Sequence, residues 1–81
     1  MAKPSPTHAG TKELKALGRA IRRLRQAIGL SQEALAHEAN IDRSYVGGIE
    51  RGEHNVAVVN LVKISKCLGV KLSDLFAEAE V

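Results

Sequence analysis

Apolar residues recur along this chain with the period of helices. Leu14, Leu17, Ile21, Leu24 and Ile28 follow one another at spacings of three and four, the stripe that an amphipathic helix buries. Thr11 is placed to cap that helix, and Gly29 to end it in the left-handed conformation. Arg25 lies beside the stripe rather than opposite it. A coiled coil is the rival reading, but about two heptads with Gly18 inside are short for one. Ser31 then caps a second helix that Gln32 opens, with Leu35 and Ala39 on one face. Asn40 tolerates the left-handed bend that stops it, and Ile41 points an apolar side chain into that bend. Asp42 caps a third helix, about Asp42 to Arg51, whose inner face is Val46 and Ile49; Gly52 ends it. Val58, Leu61, Val62, Ser65 and Leu68, with Ile64 beside them, predict a fourth helix closed by Gly69. Ser73 and Asp74 start a short fifth through Leu75 and Phe76.

The second and third helices form one unit. Leu35, Ala39, Ile41, Val46 and Ile49 close a small core between them, and Ala36 is small where they cross. Arg43, Ser44 and Tyr45 follow the Asp42 cap and point away from that core. Long or polar side chains at the front of such a helix suit insertion into a DNA major groove.

Length and composition narrow the field. Eighty-one residues make one domain with one small core. The hydrophobic share of 44% is enough for a globular fold and too high for a disordered chain. Tyr45 and Phe76 are the only aromatics, so aliphatic residues must build the core. No apolar run nears the roughly 18 residues of a membrane helix. Residues 1–10, MAKPSPTHAG, read as a flexible tail without a signal-peptide core, and residues 11–81 as the domain. A cytoplasmic location is expected. Lys3 and His8 give the tail the option of touching DNA as an arm. Cys67 excludes an internal disulfide and a multi-cysteine zinc site and is expected as a small buried residue rather than a redox sensor. No metal or other cofactor is expected, because His8, His37 and His54 lack a second ligand at useful spacing. The net charge is +3. Lys12, Lys15, Arg19, Arg22, Arg23 and Arg25 face one acid, Glu13, while Asp74, Glu78 and Glu80 make the end acidic. A basic front and an acidic back suit a protein that presents one side to a polyanion; a solvated helix face explains the same charges.

The stretch QEALAHEANIDRSYVGGIER, with LRQAIGLSQEALA before it and IERGEHN and NLVKISKCLGVKLSDLF after it, resembles the phage-repressor-like (XRE) helix-turn-helix family over roughly Leu14 to Phe76. NIDRSYVGGIERGEHN is also similar to the controller proteins of restriction-modification systems. The resemblance implies an all-α, compact five-helix lambda-repressor-like domain with the helix-turn-helix at the second and third helices. It implies a structural salt bridge between Arg25 and Glu50, and phosphate contacts from Gln32, His54 and Asn55. Arg23 joins those phosphate contacts in the expected site. Arg43 is placed for a bidentate guanine contact or a phosphate, and Ser44 for either. Tyr45 packs on a thymine methyl, bonds a phosphate or lids the core. Gly48 matches a base-reading position of some relatives. Gly47 and Gly48 each cost roughly 1 kcal/mol in a helix, so they either let the helix lie close to DNA or mark local looseness. The family often has Pro near Val56 and a Ser or Thr cap near Ala57; this chain has neither.

Leu75, Phe76 and Val81, with Val59 nearby, are the expected surface for a homodimer, unless Phe76 simply finishes the core. A two-fold dimer matches a palindromic operator with half-sites about 34 Å apart. Catalysis finds no paired carboxylates, Cys/His set or phosphate-cradling loop. A protein-interaction module such as an antitoxin is the alternative, and few aromatics argue against RNA stacking. The expected function is a sequence-specific double-stranded DNA-binding regulator with no small-molecule effector.

Overall fold

The structure, a computed structural model, describes residues 10–81. The helices, in order, are α1 Lys12–Ala27, α2 Gln32–Ala39, α3 Arg43–Glu50, α4 Val58–Leu68 and α5 Leu72–Ala79. The tail of residues 1–9, with Lys3 and His8, lies outside the described residues. Among the described residues, no helix is long and apolar enough to cross a membrane.

α1 starts where Thr11 accepts a hydrogen bond from the Leu14 amide at 3.3 Å. It ends at Ala27, and Gly29 turns the chain with φ +74°. Ile28 has left the helical twist by then and is 52% exposed. The buried stripe therefore stops short of it. Leu17, Ala20 and Ile21 carry the burial, with Leu24 packed at the edge.

α1 packs on α3 and α5, α2 on α3 and α4, and α4 on α5. One core lies between them, centred on Ile21, Leu35, Val46, Ile49, Ile64 and Leu75. Burying each such side chain contributes roughly 1.5–3 kcal/mol. Ala36 sits in that core, small at the α2–α3 crossing as its size requires.

Two expectations about the later helices are corrected. Val58 is 63% exposed and stands off the buried face of α4, which the expected Leu61, Ile64, Ser65 and Leu68 form. Leu75, expected at a dimer surface, has no exposed area and belongs to the monomer core. α5 runs three residues past Phe76, which turns Leu75 and Ala79 inward together. Phe76 packs against the edge of the core, and Val81 is exposed.

Gly18 has a part that periodicity did not reveal. A Cβ there would sit 2.4 Å from the Ile49 carbonyl oxygen and 2.5 Å from that of Glu50. α1 and the end of α3 thus meet backbone to backbone. In open space Gly18→Ala would gain about 1 kcal/mol of helix propensity. Here the overpacking costs about 1–3 kcal/mol, so the variant is expected to be destabilised. A lowered urea midpoint at unchanged m-value checks this; a raised midpoint would refute the close approach.

Candidate nucleic-acid interface

The α2–turn–α3 unit is built by local bonds. Ser31 accepts from the Ala34 amide at 3.0 Å and caps α2. Asn40 takes φ 57°, ψ 47°, and the Ile41 amide then reaches back to the Ala36 carbonyl at 2.9 Å. Ile41 is half-buried against the core. Asp42 precedes α3 in extended conformation but gives no side-chain cap. Its carboxylate accepts the Ser44 hydroxyl instead. Ser44 is half-buried, and its hydroxyl is engaged by Asp42 at the exposed front of the helix.

The rear of α3 is pinned to α1. Arg25 Nε donates to Glu50 Oε2 at 2.7 Å and Nη2 to Oε1 at 3.0 Å, the planar fork that a guanidinium and a carboxylate share. Arg25 Nη1 also donates to the Leu30 carbonyl at 2.9 Å. Both residues are buried, and the hydrogen bond to Glu50 raises the Arg25 pKa above its ordinary value. Gln32 joins them, donating from Nε2 to Glu50 Oε1 at 3.0 Å. One carboxylate thus holds α1, α2 and α3 together. The Arg25–Glu50 pairing matches the expectation; the bond that engages Gln32 does not appear in any spacing rule.

The outer face differs from expectation at His54, Gly48 and Arg23, while Tyr45 takes the lid position that was one of its expected roles. His54, expected to hold a phosphate, is only 5% exposed and is tucked under α3. Its ring stands 5.0 Å from that of Tyr45. Gly48, expected at the bases, faces inward. A Cβ on it would lie 2.4 Å from His54 Nε2, so the absent side chain makes room for the imidazole. Tyr45 is half-buried, and its hydroxyl accepts from Asn60 Nδ2 at 3.3 Å. It is a lid on the core, steadied from α4. Arg23 is turned to α5, with Nε 3.0 Å from Glu78 Oε2 and Nη2 3.0 Å from the Glu78 carbonyl.

That last contact also corrects the charge reading. Basic α1 and acidic α5 pack side by side, so the basic front and acidic back are neighbours rather than opposite poles. Arg43 remains an outward cation. Its side chain is 62% exposed, and Glu33 stands a loose 4.0 Å away. Asn55 is exposed on the loop after α3. Arg51 and Glu53, paired at 2.8 Å beside that loop, were not anticipated. The spacing of Arg43, Gly47 and Arg51, four residues apart, was the available signal for Arg51.

Burial raises the Cys67 thiol pKa, and Glu38 adds to that, which disfavours a reactive thiolate. Among the described residues, no three His, Cys, Asp or Glu side chains gather as a metal site. An open hollow is lined by Lys12, Glu13, Ala16, Arg19, Glu80 and Val81, none of them from α2 or α3.

This geometry is matched among known proteins. The helix-turn-helix family model matches residues 21–75. The chain belongs to the helix-turn-helix family. Within it, the control protein C.MunI of Mycoplasma sp is 45% identical over 64 residues, covering 78% of this chain and 86% of the relative. The crystal structure of the restriction-modification controller protein C.AhdI from Aeromonas hydrophila superposes with a TM-score of 0.80 at 47% identity. That match covers 82% of this chain and all of C.AhdI. C.Esp1396I, solved bound to a 19 base pair DNA duplex, gives a TM-score of 0.79 at 33% identity, covering 86% of this chain and 93% of that one. The five-helix, all-α reading and the family resemblance both hold.

In this helix-turn-helix chain the buried pair is the joint to test. Glu50→Ala strands the Arg25 guanidinium and is expected to cost about 3–5 kcal/mol. Replacing both partners, Arg25→Met with Glu50→Leu, should recover most of that loss. Thermal melts of the two variants separate the cases; equal loss in both would mean that desolvation of Arg25 is not the cause.

Proposed function

We propose that this chain is a sequence-specific DNA-binding transcription regulator of the restriction-modification controller type. It acts as a homodimer on a two-fold operator in the cytoplasm and is not an enzyme. The observation that carries this reading is the exposed Arg43 at the front of an α3 whose rear is locked to α1. A rigid helix presenting an arginine suits guanine recognition in a major groove. The DNA duplex on which C.Esp1396I was solved supports the same use of the same fold.

The site is smaller than the sequence implied. Arg43 reads bases. Asp42 and Ser44 form a polar pair at the helix front that steadies it beside the groove. Tyr45 meets DNA only with its hydroxyl edge, because Asn60 and His54 fix the ring. Gln32 and Asn55 hold phosphates; Gln32 has one amide hydrogen left after its bond to Glu50. The subunits meet through Phe76 and Val81. Occupancy of the operator follows protein concentration.

Selection of bound sequences from random duplex DNA tests the reading. A palindromic winner, bound by a dimer with affinity falling steeply in salt, is the expected result. Failure to enrich any sequence would overturn it. On the winner, Arg43→Ala should lower the preference over random DNA by about 1–3 kcal/mol with an unchanged melting temperature. Undiminished discrimination would remove Arg43 as the base reader.

A further inference from the structure

Arg43, Gly47 and Arg51 follow one another at intervals of four residues along α3 and its cap. They share a face, and eight residues at 1.5 Å rise put the two arginines about 12 Å apart along the axis. The gap between them is a bare strip of helix. Arg51 covers it: Nη1 lies 3.1 Å from the point where a Gly47 Cβ would be, and Gln32 Oε1 lies 3.6 Å from the same point. Arg51 therefore stands next to a side chain already assigned to a phosphate.

The Arg51 side chain is 56% exposed, yet its guanidinium is occupied. Arg51 Nε donates to Glu53 Oε2 at 2.8 Å and Nη2 to Oε1 at 3.2 Å. This is the bidentate geometry that a phosphate also satisfies. The Glu53 amide is itself bonded to the Gly48 carbonyl at 2.9 Å, so the backbone places this carboxylate beside the end of α3. Arg51 in turn holds the Glu53 carboxyl below the usual carboxylate range. At neutral pH both groups are charged.

We propose that Arg51 is a phosphate-binding residue of the DNA face and that Glu53 is an internal stand-in for the phosphate, displaced when DNA arrives. This rests on the DNA-binding reading above. The carboxylate keeps an exposed arginine from gripping any polyanion it meets, and a duplex seated by Arg43 and Gln32 is positioned to outcompete it.

A double-mutant cycle tests the proposal, read as dissociation constants across a salt series. The probes are the duplex recovered by selection and a scrambled duplex of equal length, and melting temperatures check folding. Glu53→Gln should tighten binding to both duplexes by roughly two- to fivefold, the factor an exposed ion pair is worth. Arg51→Ala should weaken both and reduce the salt slope by about 0.9, one phosphate contact. Arg51→Lys should restore the slope. The gain from Glu53→Gln should vanish in the Arg51→Ala background. An equal gain in both backgrounds would mean that Glu53 acts through net charge alone, and an unchanged slope in Arg51→Ala would mean that Arg51 touches no phosphate; either overturns the proposal while leaving DNA binding intact. A wild-type chain that binds neither duplex overturns both readings.

Discussion

The buried pair of Arg25 and Glu50 sets where α3 can lie. A desolvated guanidinium tolerates little displacement of its carboxylate, because no water replaces a lost bond. Glu50 is the last residue of α3, so the pair anchors the helix at its rear and leaves its front to project. Gly18 reinforces the anchor about two turns earlier in α1, where the backbones meet. The Gln32 amide brings α2 to the same carboxylate. Three helices are thus referenced to one side chain, and the relative placement of Arg43 and Gln32 follows from it.

Helix existence was legible because apolar residues recur at three and four along the chain and local starts and stops flank most of the helices. Thr11, Ser31, Asn40 and Gly69 acted as their side chains or backbone preferences require. Which stripe faces which helix is a different matter. Nothing in the period of α1 says that α5 will cover it, so the basic run and the acidic end were read as separate poles. The Arg23–Glu78 bond spans 55 residues of sequence and leaves no local trace. Leu75 was misplaced for the same reason: a leucine near a terminus looks spare until the helix bearing it is packed.

The candidate site was legible where a side chain protrudes and illegible where one is missing. Arg43 could be placed from its position after the turn. His54 could not, because its pocket is the empty side of a glycine. Asp42 shows a third kind of limit: the residue type predicts a cap, but Ser44 competes for the same oxygen. Short polar side chains at a helix start have several partners within reach, and sequence alone does not rank them.

The Gly48–His54 fit has an evolutionary side. The two positions are six residues apart and are sterically coupled, since the imidazole occupies the space that any larger residue at 48 would claim. A descendant that gains a side chain at 48 must move an imidazole at 54 out of the place it holds here, on the loop that follows α3. A descendant that keeps glycine can hide the ring and show a smoother surface. One methyl group on the helix therefore decides whether the loop residue is scaffold or display. A lineage can change what it presents to its ligand by altering a position that never touches that ligand.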